Sequence, residues 1–294
     1  DIISPLPVPK HAAGPDLNEI FIGSEGTLGI ITELTLKLIP APKVTVSLIV
    51  PYESLPDAIA TVPQFKKAHM NPQALEFFER EILISSEEYL GKAVFPRNVG
   101  GTDVGAYLLV TFDGETQEEI DAIVEKAAEL VLDAGALDVL VADTPAKMKD
   151  AWAARSSFLE GIEEQTKLLD ECDVVVPTSR IADFVGYVKS IEPEFGFAVK
   201  SFGHAGDGNL HIYTCANDME LDEFKKQVDT FMTKIYDKAT EMGGLVSGEH
   251  GIGMGKIEYL ARSVGETNMK LMEDIKKVFD PNLILNPGKV CYKL

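Results

Sequence analysis

The sequence contains little cysteine and no long uninterrupted run of apolar residues. Its three cysteines, Cys172, Cys215 and Cys291, are widely separated and form no Cys-x-x-Cys pair. This spacing excludes, within the chain, the cysteine patterns typical of iron–sulfur clusters and zinc ribbons. An odd number of scattered cysteines is typical of a reducing compartment, so we expect a cytoplasmic protein. No apolar stretch approaches the roughly 18–20 residues of a transmembrane helix, so we expect no transmembrane segment.

Basic residues are also scarce. The 294 residues include 27 Lys and Arg against 47 Asp and Glu, which gives a formal net charge of -20 and a pI of about 4.6. Such a surface repels phosphate backbones, so we expect no nucleic-acid partner and interpret the acidity as a contribution to solubility. The composition, with 45% hydrophobic and 25% charged residues, is that of an ordinary globular protein.

Most of the chain is predicted to form two similar patterns of strands and helices. The first has strands at 44–50, 74–78, 105–112 and 137–143 and helices at 54–69 and 115–135. After a helical link at 144–170, the second has strands at 173–177, 197–204, 209–215 and 245–247 and helices at 180–191 and 221–244. We predict an α+β fold, a tandem ferredoxin-like β-α-β-β-α-β domain with an antiparallel sheet and helices on one face. Coincidence stays an alternative, because such alternation is common.

The two ends of the chain do not continue this repeat. Residues 21–40 are predicted to form a Gly-rich turn followed by an alternating strand, and residues 279–290 are turn-rich and follow a helix. We interpret residues 1–42 and 271–294 as parts of a neighbouring module, separate from a central domain at 43–270.

Two histidines lie seven residues apart in the stretch "SFGHAGDGNLHIY" (201–213). Its Gly-Asp-Gly turn favours a hairpin, in which His204 and His211 face each other across a strand pair. Directly opposed residues have Cβ atoms about 4.5–5.5 Å apart on one sheet face, close enough for two imidazoles to share a metal ion. The spacing alone is weak support, because two histidines seven residues apart also occur by chance.

A second cluster, "SGEHGIGMGK" (247–256), adds a carboxylate and a third imidazole. Its glycines allow the backbone to approach a ligand closely, although the stretch lacks the spacing of a Walker loop. Two imidazoles with the Glu249 carboxylate suit zinc or ferrous iron with open coordination positions, which leaves His250 to act as a base. The alternative is that all four are polar turn residues. Arg155 could bind a substrate carboxylate or could be a solvated helix arginine.

Four stretches together resemble a known family. "GSEGTLGIITELTLKL", "GHAGDGNLH", "SGEHGIGMGK" and "DPNLILNPGK" occur in that order and are similar to motifs of the FAD-linked 2-hydroxyacid dehydrogenases of the vanillyl-alcohol oxidase type. That family includes D-lactate dehydrogenases, the glycolate oxidase flavoprotein subunit and D-2-hydroxyglutarate dehydrogenases. The resemblance implies a C-terminal fragment, inactive alone, that contains the end of an FAD-binding domain (1–42), a substrate-binding cap domain (43–270) and a C-terminal return to the FAD-binding domain (271–294).

The resemblance also implies roles for individual residues. His204, His211 and Glu249 would bind a divalent metal (zinc, iron or manganese), His250 would be the general base, and Arg155 would pair with the substrate carboxylate. The residues expected along the FAD are Gly23, Ser24, Glu25, Gly26, Gly29, Ile30 and Asn286.

The implied activity is oxidation of a small D-2-hydroxy acid to the 2-oxo acid, with electrons passed to an electron-transfer flavoprotein, an iron–sulfur subunit or a quinone. Relatives that act on 2-hydroxyglutarate tend to have Lys where this chain has Glu171 and Asn where it has Tyr213. Glu171 would repel a second carboxylate, so we expect D-lactate ahead of glycolate. The alternatives are a D-2-hydroxyglutarate dehydrogenase and a non-catalytic metal- or ligand-binding cap module that docks a partner. A homodimer is one assembly that this protein could form.

Overall fold

A computed structural model describes residues 8, 10 and 12–291, which form two compact units. The larger unit spans residues 41–248, and the smaller one combines the described residues up to Pro40 with the segment that begins at Glu249. The first division lies two residues from the predicted boundary between residues 42 and 43. The second falls after Gly248 instead of residue 270.

The larger unit is built on one antiparallel sheet of seven strands, in the order β6-β1-β5-β2-β8-β9-β7. Two short strands, β3 and β4, form a separate hairpin. The bounds are β1 Val44–Tyr52, β2 Ala74–Glu79, β3 Asn98–Val99, β4 Thr102–Asp103, β5 Ala106–Gly114, β6 Leu140–Ala142, β7 Leu168–Val175, β8 Ala198–His204 and β9 Asn209–Ala216.

The strand order confirms the tandem ferredoxin-like repeat. In the first repeat, β6, β1, β5 and β2 stand side by side, so the fourth strand flanks the first and the third strand lies between the first and second. The second repeat has the same order in β7, β9 and β8, with Leu245 beside Val175 in place of a fourth strand. The predicted strand at 245–247 is therefore reduced to a single antiparallel bridge.

Seven helices accompany the sheet, and the two faces receive different sets. Helices of the repeats cover one face: for example, Phe65 of α2 lies 6.5 Å from Phe112 of β5, centroid to centroid. The helices that follow β2 and β6 cover the other face, where the Trp152 Nε1–H donates to Ser47 Oγ at 3.3 Å. The bounds are α2 Leu55–Lys67, α3 Arg80–Leu90, α4 Gln117–Asp133, α5 Pro145–Ser156, α6 Phe158–Gln165, α7 Ile181–Ile191 and α8 Leu221–Glu241.

The prediction of helices on one face therefore holds for α2, α4, α7 and α8 but not for α3, α5 and α6. The last three close a second core on the opposite face, which includes stacked and edge-to-face rings from Phe78, Phe95, Tyr107 and Phe158. Helix α3 had no assignment from sequence. Local signals were strong elsewhere: Thr116 and Glu119 form a capping box that begins α4.

The smaller unit contains a short helix, α1 (Leu17–Phe21), and a long one, α9 (Ile257–Phe279), which is kinked at Gly265. A buried ammonium connects its segments: Lys276 Nζ donates to the carbonyls of Thr27 at 2.7 Å and Leu285 at 2.6 Å and to Asp280 Oδ2 at 2.6 Å. These bonds hold the pKa of Asp280 below its ordinary value, with the Lys276 hydrogen bond as the main cause.

The predicted alternating strand within residues 21–40 is wrong. Residues 29–42 form no strand, because their backbone makes no hydrogen bond to another described segment, and an isolated strand leaves its N–H and C=O groups without partners. Six large apolar side chains of this segment are 59–85% exposed: Ile30, Ile31, Leu34, Leu36, Leu38 and Ile39.

None of the described helices is long and apolar enough to cross a membrane.

The contact between α3 and α6 predicts the effect of two matched glycine substitutions. A Cβ at Gly161 of α6 would lie 2.7 Å from the backbone of Ser85 and Ser86, whereas one at Gly186 of α7 would meet nothing within 4 Å. Gly161→Ala should therefore reduce the free energy of unfolding by about 1–3 kcal/mol. Gly186→Ala should increase it by about 0.5–1 kcal/mol, because Ala is the better helix former. Urea denaturation followed by circular dichroism measures both, and equal effects would contradict the packing.

Candidate active site

The structure brings His204 and His211 together on one face of the larger unit's sheet. His204 ends β8, the turn runs through Gly208, and His211 lies in β9. The strand register pairs His204 with Asn209 and Phe202 with His211, so the two histidines are diagonal neighbours and not directly opposed as predicted. Their ring centroids are 5.6 Å apart and the rings are nearly perpendicular, at 83°. The hairpin prediction holds, and the cross-strand alignment is shifted.

Gly208 is required by the tightness of this turn. Its φ is +91°, and a Cβ there would lie 2.0 Å from the carbonyl oxygen of Val176. Any other residue would push the hairpin away from the strand end beside it. The glycines between the histidines therefore position the two imidazoles as well as reversing the chain.

Each histidine is held by a carboxylate from the strand on its outer side. His204 Nδ1 is 2.7 Å from Glu76 Oε1 of β2, and His211 Nδ1 is 2.9 Å from Glu171 Oε1 of β7. An ionised carboxylate can only accept, so Nδ1–H is the donor in each pair. Histidines that bind metals commonly use one ring nitrogen as the ligand while the other donates to a carboxylate. In both rings Nδ1 is bonded to a carboxylate, so Nε2 would be the ligand nitrogen in a site of this kind.

Glu76 is a buried carboxylate between two cationic or donor groups. Its second oxygen, Oε2, accepts from Arg155 Nε at 2.8 Å and Nη2 at 2.7 Å. Burial alone would raise the pKa of Glu76, but the hydrogen bond from His204 and the charge of Arg155 outweigh it and lower the pKa. Glu76 is therefore ionised at neutral pH.

Arg155, predicted as a substrate-binding residue, reaches this cluster from α5. Its guanidinium carbon lies 4.9 Å from the ring centroid of Phe202 and 5.4 Å from that of Phe158. The interpretation as a solvated surface arginine is wrong, since only 12% of the side chain is exposed. Glu76 occupies Nε and Nη2, and Nη1 is the remaining amino group that could bind an anion.

Tyr213 extends the cluster on the Glu171 side. It lies opposite Glu171 in the β7–β9 register, on the same sheet face as His211. Burial is the main cause that raises the pKa of Tyr213, and the nearby negative charge of Glu171 raises it further. Tyr213 therefore stays protonated at neutral pH.

Asp173 and Asn209 contact the last residues of the larger unit, Ser247 and Gly248. Asp173 accepts from the Ser247 hydroxyl at 2.6 Å and from the Gly248 amide at 3.1 Å. A Cβ at Gly248 would lie 2.2 Å from Asn209 Oδ1, an atom that is buried and has no hydrogen-bond partner among the described residues. Gly248 is therefore a position that only glycine can occupy without rearrangement.

In the smaller unit, Glu249 and His250 begin a loop that Glu25 anchors. The Glu25 carboxylate accepts from the amides of Ile252 at 2.7 Å and Gly253 at 2.8 Å. His250 Nε2 is 3.8 Å from Glu249 Oε1, and both side chains are about half exposed. Gly251 has a φ of +81°, and a Cβ there would lie 2.8 Å from Glu25 Oε1. The close approach of the Glu25 carboxylate to the backbone explains the glycine at position 251.

Several residues expected along the FAD also lie together in the smaller unit. Gly23, Glu25 and Gly26 have positive φ values of 79°, 52° and 69°. Asn286 Nδ2 donates to the Glu25 carbonyl at 2.5 Å, and a Cβ at Gly26 would lie 2.8 Å from that same nitrogen. Ser24 caps the turn by accepting from Thr27, Gly29 lies beside the Phe21 ring, and Ile30 is exposed.

Sequence reasoning placed Glu25 along the FAD but missed its structural contacts, and it missed Glu76 entirely. The structural role of Glu25 toward Ile252 and Gly253 depends on a contact across more than 220 residues of sequence, which no local pattern reports. Glu76 had a signal that was not used, because it is the one charged residue inside the apolar run "ALEFF". A charged side chain at a buried strand position needs hydrogen-bond or ion-pair partners, because burying an unpaired charge is costly.

Comparison with known proteins identifies the family of the chain. Residues 41–290 match the family described as "FAD linked oxidases, C-terminal domain". The chain is 65% identical over 287 residues to a D-lactate dehydrogenase of Anaerostipes hadrus, covering 98% of this chain and 60% of that protein. It is 36% identical to the glycolate oxidase subunit GlcD of Bacillus subtilis (strain 168), covering 97% of this chain and 59% of the relative. It is 31% identical to a D-2-hydroxyglutarate dehydrogenase of Stutzerimonas stutzeri (strain A1501), covering 96% and 60%.

The fold is also found in solved structures. A p-cresol methylhydroxylase with bound substrate superposes with a TM-score of 0.74 at 18% identity, over 97% of this chain and 59% of that one. The chain belongs to the family of FAD-linked oxidases, of which it contains the C-terminal domain. It spans about 60% of the length of the curated relatives it matches.

The anchoring of the Glu249–His250 loop predicts a local change in Glu25→Gln. The neutral amide offers one carbonyl oxygen in place of two charged acceptors, so at least one of the Ile252 and Gly253 amides should lose its bond. Because hydrogen bonds to charged groups contribute about 1.5–3 kcal/mol, that amide should exchange with solvent deuterium about tenfold faster or more. Glu33→Gln, at an exposed position, is the control. Unchanged exchange at both amides would contradict the anchoring role.

Proposed function

We propose that the protein containing this chain oxidises a small D-2-hydroxy acid to the 2-oxo acid, with D-lactate preferred over glycolate. The observation that supports this most directly is the pair of imidazoles on one sheet face, each with a carboxylate at Nδ1. Membership of the FAD-linked oxidases and 65% identity to a relative named D-lactate dehydrogenase support the reaction class.

The donor set fits a divalent metal. His204 and His211 would supply Nε2, and Glu249 is proposed as the third ligand on the strength of the resemblance. Two imidazoles and a carboxylate suit zinc, iron or manganese with positions open for a substrate. Such a metal would polarise the substrate's hydroxyl and carboxylate, and FAD would accept the hydride.

The chain's own residues would bind the acid and move its proton. Arg155, oriented by Glu76 and by two phenyl rings, offers Nη1 to the substrate carboxylate. His250 is proposed as the base that takes the hydroxyl proton on a ring nitrogen, which suits an imidazole near neutral pH. The residues proposed to bind FAD are Gly23, Ser24, Glu25, Gly26, Gly29, Ile30 and Asn286, and the open backbone at Gly23 fits the close approach of a ligand.

Glu171 favours a monocarboxylic substrate. Its carboxylate lies on the sheet face that carries the histidines, bonded to His211 and beside Tyr213. The charge of Glu171 would repel a second carboxylate on the substrate, whereas lactate and glycolate have only one carboxylate. The alternative is a D-2-hydroxyglutarate dehydrogenase, which would need a cation such as Lys167 or Lys200 in that place. Lys200 Nζ instead bonds Ser85, and Lys167 bonds Asn217.

An electron acceptor must complete the reaction. We propose an electron-transfer flavoprotein in the cytoplasm, with an iron–sulfur subunit or a quinone as alternatives. The rival from another class is a non-catalytic metal- or ligand-binding module that docks a partner. A flavin absorption spectrum in the purified protein with substrate-dependent bleaching would contradict that rival.

Metal content tests the ligand set. After dialysis, the wild-type chain should retain about one zinc, iron or manganese per chain by plasma mass spectrometry, and His204→Ala and His211→Ala should lose it. His69→Ala, outside the cluster, is the matched control. Metal retained in both ligand variants would contradict the site.

Replacing Glu171 tests the substrate preference. In the whole flavoprotein, Glu171→Lys should lower the kcat/KM ratio of D-lactate over D-2-hydroxyglutarate by about tenfold or more, because repulsion of the second carboxylate becomes attraction. Glu171→Gln controls for the lost bond to His211, since it removes the charge without reversing it. An unchanged ratio in both variants would show that Glu171 does not select the substrate.

A further inference from the structure

The buried position of Glu76 is not explained by stability. Its side chain is 5% exposed in the middle of β2, between Leu75 and Phe77. Buried ion pairs frequently contribute no more than a well-packed apolar residue would, because desolvation offsets the attraction. A buried carboxylate whose two oxygens are both hydrogen-bonded points to a role that an apolar residue could not have.

We propose that Glu76 is a positioning residue that orients His204 and Arg155 with one carboxylate. Oε1 holds the Nδ1–H of His204, which directs the Nε2 lone pair away from Glu76. Oε2 holds Nε and Nη2 of Arg155, which leaves Nη1 for an anion. In the proposed function these two groups bind the metal and the substrate carboxylate, so their relative placement would depend on Glu76. The consequence for catalysis rests on that proposed function, whereas the orientation of the two side chains does not.

Three features of the surroundings make this coupling rigid. Glu76 and His204 are directly opposite each other in the β2–β8 register, so the backbone already places them side by side. The rings of Phe202 and Phe158 lie close to the guanidinium of Arg155 and limit the space in which it can move. Glu76 further fixes it by accepting from two of its nitrogens. His211 has a different partner, Glu171, whose side chain is 24% exposed.

The chemistry of a glutamine at position 76 makes the proposal testable. Its single carbonyl oxygen should accept from Arg155, which can only donate, so its amide NH2 should face Nδ1 of His204. Glu76→Gln therefore removes the acceptor for the His204 Nδ1–H while keeping the size of the side chain. Glu79→Gln is the matched control: Glu79 lies in the same strand but on the opposite face, and its carboxylate also makes several bonds, to Ser201 and Lys189.

The first measurement is the tautomer of His204 in the 15N-labelled chain. Long-range proton–nitrogen spectra are recorded at about pH 9, above the ordinary histidine pKa of about 6.5, with the signal assigned by its loss in His204→Gln. Wild type and Glu79→Gln should contain the Nδ1–H tautomer, and Glu76→Gln should contain a mixture or the Nε2–H form. The Nε2–H tautomer in wild type, or an unchanged Nδ1–H tautomer in Glu76→Gln, would overturn the proposal.

The second measurement is a titration of the same chains with Co²⁺, followed by its visible absorption. Outer partners of metal-bound histidines typically change metal affinity by about 10–100-fold, so Glu76→Gln should bind Co²⁺ at least about tenfold more weakly than Glu79→Gln. Equal affinities would contradict the role of Glu76 toward a metal. If wild type shows the Nδ1–H tautomer but binds no Co²⁺, the positioning of His204 is supported and the proposed metal site fails.

Discussion

The pairing of β2 with β8 is the contact on which the candidate site of the larger unit depends. It joins two ferredoxin-like repeats, the second with a single bridge in place of its fourth strand, into one antiparallel sheet. Glu76 comes from the first repeat and His204 from the second, and their strands are adjacent only because of this junction. A slip of one residue in its register would turn Glu76 to the opposite face, since side chains alternate along a strand.

The two repeats use the same architecture differently. In the second, β8 and β9 are joined by the tight turn that contains Gly208, and the hairpin carries both histidines. In the first repeat, α3 and a small β-hairpin separate β2 from β5. The segment between α3 and this hairpin is anchored by Glu87, whose carboxylate accepts from two backbone amides and from Arg97. The second repeat therefore supplies the compact hairpin that carries both histidines, and the first supplies Glu76, which bonds His204.

The sequence predicted what is local and missed what is distant. The strands of the central sheet at 44–50 and 105–112, the helix at 115–135 and the hairpin at the Gly-Asp-Gly turn are encoded by neighbouring residues, and these predictions are confirmed. The diagonal placement of His204 and His211 depends on a hairpin register that the turn sequence does not specify uniquely. The strand predicted after Gly29 failed because a strand is defined by its partner, and no described segment is one. The roles of Glu76 and Glu25 depend on contacts between residues far apart in the chain.

The exposed segment from Ile30 to Ile39 has a practical consequence for anyone who handles this chain. It combines alternating apolar side chains, β-branched residues and an unpaired backbone, which are the features of a template for intermolecular strand addition. Lys37 and Glu33 are the only charges that interrupt it. We therefore expect this ten-residue stretch to promote self-association of the isolated chain at high concentration, while the net charge of -20 opposes it.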